Sequence, residues 1–317
     1  MDVLLNIWFQ SLGMWLRPLM LFFSELGTER FYMLVMPLFF WCVDVGLGLR
    51  LAALLLWGNA VNFYLKLTFH LPRPFWVSEQ VRALAIETSF GMPSGHAQNA
   101  ASLWGCAAVS VKQAWLRWCL AFFVFMIGLS RIYLGVHFIG DVLVGWLVGA
   151  VLLWLFLRLE SPVIGLWRRL SFWKKLLVAV ISSLVVLGVG WGIRSALSGW
   201  TLPEAWLEII QKNTDLASLD PLGCEGLVTI AGTWVGVITG ISVYSQYFGD
   251  YHINGSLGHR LLRYVVGLIG LLLLYIGLGR TFAMLEGNFL ALVLRYIRYA
   301  MIGAWVTLGA PVLFRKI

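Results

Sequence analysis

Long apolar runs alternate along the chain with short polar turns. The runs cover roughly 31–49, 51–69, 97–112, 116–134, 138–158, 175–194, 226–247, 261–280 and 290–313. Each approaches the ~20 residues that a helix needs to cross a bilayer, and charged, Gly- or Pro-bearing turns separate them. The pattern predicts an all-α fold, a polytopic membrane helical bundle of about nine transmembrane helices. Residues 3–25 are different, because Gly13, Arg17 and Pro18 interrupt them. They read as an N-terminal interfacial amphipathic helix that lies on the membrane surface.

Composition supports a membrane protein and excludes a soluble globular domain: 60% of the residues are hydrophobic, only 12% are charged, and the mean hydropathy is +0.85. The net charge of +8 does not imply a nucleic-acid partner, since the basic residues are scattered through membrane-flanking turns instead of gathering on one soluble face. Their use is orientation. The turns that come after odd-numbered spans hold the larger share of Lys and Arg, above all Arg158, Arg168, Arg169, Lys174 and Lys175. By the positive-inside rule that side is cytoplasmic, which places the carboxyl terminus inside and the loop 195–225, with Glu204, Glu208, Asp215, Asp220 and Glu225, outside. Cys42, Cys106, Cys119 and Cys224 show no paired spacing and imply neither disulfides nor a metal site.

Lys66, Arg73 and Arg131 do not fit the flanking-turn pattern. At 1.5 Å per residue, Lys66 lies ~24 Å along its helix from Arg50, Arg131 ~21 Å from Arg117, His96 ~24 Å from Lys112 and Asp141 ~26 Å from Arg158. Four helices therefore bring polar groups to one depth near the outer interface, and ionisable groups inside a membrane mark a functional site by default. Three permanent cations and two histidines, His96 and His137, face the single carboxylate of Asp141. That balance suits an anion, whereas a divalent metal wants the reverse.

Local spacing gives each group a task. In KLTFHLPRP, Lys66 ends a helix and Arg73 comes seven residues later, so that an ammonium and a planar guanidinium fork converge on phosphate-like oxygens. In SRIYLGVHFIGD, His137 and Asp141 are four apart on one helical face. The carboxylate can take the proton of one ring nitrogen and leave the other as a nucleophile. In PSGH, Pro93 suits a first turn, Ser94 a cap, and Gly95 close backbone approach. His96 then stands over a leaving-group oxygen as general acid.

Lys66-x6-Arg73-Pro74, Pro93-Ser94-Gly95-His96 and Ser130-Arg131-x5-His137-x3-Asp141 together resemble the three-part signature of the type-2 phosphatidic acid phosphatase and vanadium haloperoxidase superfamily. The resemblance implies a metal-independent phosphatase without a cofactor. His137 would attack phosphorus to form a phosphohistidine, Asp141 would orient it, and His96 would protonate the departing alcohol. Lys66, Arg73, Ser94, Gly95 and Arg131 would hold the phosphoryl oxygens. On this reading residues 1–29 are the interfacial segment, 30–160 the phosphatase core and 161–317 a C-terminal extension of about four transmembrane helices.

The implied substrate is an amphiphilic lipid phosphate, monoester or diphosphate, cleaved at the non-cytoplasmic face of a bacterial inner membrane or its equivalent, with membrane lipids as surroundings. The extended length also resembles the glucose-6-phosphatase branch, which keeps a soluble sugar phosphate open as an alternative. A transporter or a non-catalytic phospholipid-binding protein is the alternative of another class.

Other polar groups have plainer expectations. His70 reads as interfacial and Asp44 as a helix-end partner of Arg50. Asn59, Asn62 and Glu87 suit either substrate contact or interhelical bonding and loop capping, and Trp76 suits a substrate entrance. The rows Gly145/Gly149 and Gly232/Gly236/Gly240 suit close helix packing. His252 and His259 fall on the cytoplasmic side, away from the site.

Overall fold

The computed structural model describes residues 3–213, 219–283 and 288–317, and every regular element among them is a helix. In chain order these are α1 (Leu4–Ser11), α2 (Arg17–Glu25), α3 (Glu29–Leu38), α4 (Val45–Phe69), α5 (Pro74–Val77), α6 (Gly95–Asn99), α7 (Gly105–Ser110), α8 (Ala114–Tyr133), α9 (Ile139–Arg169), α10 (Phe172–Ala196), α11 (Glu204–Asn213), α12 (Glu225–Phe248), α13 (Leu257–Leu272), α14 (Gly279–Ala283), α15 (Asn288–Ala304) and α16 (Ala310–Phe314). Five-residue π-helical turns at Phe39–Val43, Ala100–Trp104 and Trp305–Gly309 lead from α3, α6 and α15 toward α4, α7 and α16.

Seven helical stretches among the described residues are long and apolar enough to cross a membrane. They are Val45–Val77, Ala114–Tyr133, Ile139–Arg169, Phe172–Ala196, Glu225–Phe248, Leu257–Phe282 and Phe289–Phe314. An eighth exists if Met14–Glu25 and Glu29–Val43, bent by 49°, are one broken span. Two of the nine expected spans therefore lack a long straight helix of their own. The run expected over 31–49 is the second arm of that bent pair, with Pro37 inside α3 and an extended break at Asp44. The run expected over 97–112 is Gly95–Ser110, about 24 Å at 1.5 Å per residue and so shorter than a ~30 Å hydrocarbon core. The long helices expose Leu177, Ile181, Leu184 and Val185 on α10 and Leu143, Leu147 and Trp154 on α9, the outward apolar surface that lipid requires.

The chain divides into two compact units. The first comprises 1–32, 61–156 and 191–223. Here α1 and α2 pack on α8, and the side chain of Asn6, fully buried on α1, donates to the carbonyls of Ile132 and His137 at 2.9 Å each. Gln10 Nε2 donates to the carbonyls of Arg82 at 2.8 Å and Tyr133 at 3.1 Å. An amphipathic pattern buries its better face against whatever surface is at hand, and this segment meets protein along α8 as well as presenting Trp8, Trp15 and Phe22 outward.

The acidic loop 195–225 belongs, up to Gly223, to the same unit. Its helix α11 buries Ile210 in a cluster with Trp76, Phe90, Tyr133 and Val136, flanked by Trp200 and Trp206. Asp220 N–H donates to the carbonyl of Thr88 at 3.2 Å, and Lys212 pairs with Glu79 at 2.6 Å. Asp215 lies outside the described residues. Trp76, expected at a substrate entrance, is instead completely buried in that cluster, with Phe90 and Trp206 rings 6.2 and 6.1 Å away. Trp76 belongs to the short helix α5, on which helix α11 of the loop packs.

The second unit comprises 33–60, 157–190 and 224–317. Helices α12 and α15 form its most extensive pairing. A Cβ at Gly232 or Gly236 would strike the carbonyl of Tyr296 or Ala300, and one at Gly240 the hydroxyl of Thr307, so that glycine lets the two backbones approach closely. Asp44 caps α4 by accepting from Leu47 N–H at 2.5 Å, and Arg50 pairs with Glu160 at 2.6 Å. His252 lines a cavity of about 350 Å³ in this unit, together with Tyr251, Arg263 and Phe314.

Candidate active site

All eight residues singled out by spacing lie in the first unit, and three local arrangements position them. The turn after α4 brings Lys66 and Arg73 back onto the 87–90 segment. Lys66 Nζ donates to Ser89 Oγ at 2.8 Å and to the carbonyl of Phe90 at 2.9 Å. Arg73, fully buried, donates through Nε to the carbonyl of Ser89 at 2.6 Å. Its Nη1 donates to the carbonyl of Val136 at 2.8 Å, and its Nη2 to the carbonyl of Phe90 at 3.1 Å. A guanidinium so held is fixed in direction, because a planar fork with several satisfied donors has no alternative pose.

The PSGH turn folds as its residues suggest, with one shift in register. Ser94 is the N-cap of α6, its hydroxyl accepting from Ala97 N–H at 3.4 Å, so Pro93 stands just before the cap and not in the first turn. Asn62 Nδ2 ties the turn to α4 through the carbonyl of Pro93 at 3.3 Å and Gln98 Oε1 at 3.0 Å, an interhelical role. On the other side α9 presses in through its glycine row. A Cβ at Gly145 would lie 2.7 Å from the Ser94 carbonyl, and one at Gly149 would strike that of Gln98. The His96 ring lies beside Gly27, where a Cβ would come within 2.9 Å of His96 Cδ2.

The third arrangement is the turn between α8 and α9. His137 Nδ1 lies 3.2 Å from Asp141 Oδ2, which also accepts from Phe138 N–H at 3.0 Å. The opposite ring nitrogen, Nε2, lies 3.2 Å from Arg73 Nη1. A guanidinium can only donate, so this contact calls for a lone pair on Nε2 and leaves the proton on Nδ1, directed at Asp141. Burial first, then the charges of Arg73, Lys66 and Arg131, hold the imidazole well below the ordinary histidine value and keep it neutral. The backbone closes the assembly: Ser94 N–H donates to the carbonyl of Asp141 at 3.0 Å, and Gly91 fits where a Cβ would lie 2.6 Å from the Pro72 carbonyl and 3.2 Å from Asp141 Oδ2.

Arg131, 1% exposed, directs Nη1 to Ser24 Oγ on α2 and Nη2 to Glu87 Oε1. Glu87 reaches Arg73 Nη2 with its other oxygen at 3.2 Å, and its Oε1 lies 4.0 Å from His96 Nδ1. Burial would push this carboxyl up, but Arg73 and Arg131, followed by His96 and Lys66, outweigh it and hold Glu87 well below the usual carboxylate range. The result is one cluster in which Glu87 joins Arg73, Arg131 and His96, Lys66 and Arg73 share Ser89 and Phe90, and His137 Nε2 faces the Arg73 guanidinium. Such a cluster can bind a phosphoryl group and offer it an uncharged nitrogen.

Sequence reasoning did not find Asn6, Gln10, Ser24, Gly27 or Ser89, and it left Glu87 between substrate contact and loop capping. His70 is half-buried beside Phe90 and Trp200, its Nδ1 3.1 Å from the carbonyl of Thr68, on the aromatic side of the turn and not among the clustered cations.

Residues 47–164, which contain all eight motif positions, match the PAP2 superfamily model. Residues 228–317 match the model described as PAP2 superfamily phosphatase, transmembrane extension. The chain is 30% identical over 250 residues to glucose-6-phosphatase 3 of Bos taurus, covering 67% of this chain and 70% of that protein. It is 31% identical over 160 residues to phosphatidylglycerophosphatase B of Bacillus subtilis (strain 168), 44% of this chain and 73% of that one. Sphingosine-1-phosphate phosphatase 2 of Mus musculus is 30% identical over 139 residues, 42% and 39% of the two chains. Two matched segments separated by α10 and α11, and three relatives that are all phosphatases, assign the molecule: it is an integral membrane phosphatase, a phosphoric ester hydrolase that belongs to the PAP2 superfamily.

Proposed function

We propose that the protein hydrolyses a lipid phosphate, monoester or diphosphate, at the non-cytoplasmic face of its membrane, without a metal and through a phosphohistidine at His137. The observation that carries this reading is the placement of the His137 ring, with Nδ1 3.2 Å from Asp141 Oδ2 and Nε2 3.2 Å from Arg73 Nη1, which favours a proton on Nδ1 and a lone pair on Nε2. Arg73, Arg131 and Lys66 hold the phosphoryl oxygens, aided by Ser94 and the backbone of Gly95. Nε2 attacks phosphorus, the P–O bond to the alcohol breaks, and His96 gives its proton to the departing oxygen. His96 then takes a proton from water as the water oxygen attacks phosphorus, the P–N bond breaks, and inorganic phosphate leaves with Nε2 restored.

Three cations in the pocket replace the charge neutralisation that a metal supplies in other phosphatases. Lipid is favoured as substrate by the apolar flanks of the unit and by the phosphatidylglycerophosphate and sphingosine-phosphate enzymes among the relatives. The carboxyl-terminal region from 161 onward is read as an extension of the 30–160 core, and the basic turns at 158–175 orient it with the carboxyl terminus in the cytoplasm.

A soluble sugar phosphate is the second reading, favoured by the match to glucose-6-phosphatase 3 over 67% of the chain. A panel of phosphatidate, phosphatidylglycerol phosphate, isoprenyl diphosphate, sphingosine phosphate and glucose 6-phosphate, assayed in EDTA, separates the two. The expected result is undiminished hydrolysis in EDTA, with a lipid phosphate the best substrate by kcat/KM. Preference for glucose 6-phosphate would replace the first reading by the second, and loss of all activity in EDTA would overturn the metal-free route.

A further inference from the structure

Glu87 occupies the place that the phosphate reading reserves for the substrate. Its carboxylate bridges Arg73 and Arg131 and stands 4.0 Å from His96, and so engages three of the groups assigned to the phosphoryl oxygens and the leaving group. The two guanidinium side chains are 0% and 2% exposed, while the Glu87 side chain is 18% exposed. Two adjacent buried cations without an anion are strongly unfavourable, so an empty pocket needs this carboxylate. A phosphate dianion offers the same two forks more oxygens and more charge.

The segment that carries Glu87 is built to let it go. It has no regular secondary structure from Ser78 to Ser94. Ile86 is 85% exposed on one side of Glu87 and Thr88 is exposed on the other. The next residue is fixed: Ser89 is held through its carbonyl by Arg73 and through its hydroxyl by Lys66. Rotation about a fixed Ser89 and a tethered Thr88 carbonyl can swing Glu87 toward its exposed side without disturbing Lys66 or Arg73.

We propose that Glu87 is a resident anion of the phosphoryl pocket, which neutralises Arg73 and Arg131 when the site is empty, leaves when a phosphate enters, and by returning helps to expel the inorganic phosphate product. This rests on the phosphatase-site reading above. Its cost is an apparent phosphate affinity lowered by the fraction of molecules whose pocket is free of Glu87.

The test is the binding of inorganic phosphate to the purified full chain in detergent, measured by thermal shift and as a competitive inhibition constant, for wild type and Glu87→Gln. Wild type should be stabilised by phosphate. Glu87→Gln should melt lower than wild type without phosphate, gain more from phosphate, and show an inhibition constant about tenfold or more below that of wild type. Glu87→Asp, which keeps the charge but shortens the reach, should fall between them.

If wild type gains nothing from phosphate, the site reading itself fails. If wild type responds and Glu87→Gln binds phosphate equally or more weakly, the carboxylate only braces the arginines and the proposal is overturned. A Glu87→Gln protein that cannot be recovered even in phosphate overturns it equally, since phosphate should replace the missing charge.

Discussion

His137→Ala is expected to lower turnover by about 10⁴-fold or more while inorganic phosphate still binds with near wild-type affinity. The split comes from which groups do what. Nε2 is the nitrogen that the geometry leaves with a lone pair facing Arg73 and the pocket, so its loss removes the attacking atom. The cations remain in place, because Arg73 keeps the carbonyls of Ser89, Val136 and Phe90, and Arg131 keeps Ser24. Turnover by stopped assay, with phosphate binding by thermal shift on the same preparation, checks both halves. Comparable loss of binding and turnover would mean that His137 holds the site together instead of reacting.

The second large effect is expected for Arg73→Lys, a change that keeps the charge. The guanidinium serves the carbonyls of Ser89, Val136 and Phe90, the hydroxyl of Ser89, Glu87 and His137 Nε2, more partners than the three N–H groups of an ammonium can reach. Some of those acceptors are buried and would go unsatisfied, at about 1–3 kcal/mol each. The variant should therefore lose about 10²–10³-fold in kcat/KM and melt below wild type. Kinetics in mixed micelles and a thermal denaturation curve are the measurements. A variant with wild-type kcat/KM would show that charge alone, and not the fork, holds the phosphoryl group.

The parts of the site that the sequence made legible are those set by local spacing. Ser94 caps because it opens a helix, and Lys66 and Arg73 converge because a Pro-bearing turn succeeds α4. His137 and Asp141 do meet, but not across a helical face, since His137 stands in the turn before α9 and Asp141 reaches back to it and to Phe138 N–H. The charge balance counted Asp141 as the single carboxylate, whereas Glu87 stands as a second one against Arg73 and Arg131. The hidden parts depend on contacts across the chain. Ser24 reaches Arg131 over 107 positions, and Asn6 reaches His137 over 131, with no periodicity to announce either.

The amino-terminal segment was legible only in part, for a physical reason. An amphipathic helix looks the same in sequence whether its buried face meets lipid or protein, and only the burial of Asn6 and its two carbonyl partners decides the matter. Trp76 failed in the same way, since aromatic residues serve both interfacial belts and interior clusters. The long apolar runs were legible because lipid demands them. The broken ones, 31–49 and 97–112, were not, because hydropathy does not register an extended break at Asp44 or a helix that ends at Ser110. Glu87 had no signal of its own. It lies in an irregular loop, and its meaning comes from two arginines, one 14 positions before it and one 44 positions after.

The most direct measurement is capture of the phosphoenzyme. Wild-type protein in molar excess over a ³²P-labelled lipid phosphate, quenched in alkali within a single turnover, should retain base-stable, acid-labile label that peptide mass spectrometry places on His137, and His137→Ala should retain none. Label that is absent from wild type throughout a turnover, or that resides on a different residue, would contradict the phosphohistidine route.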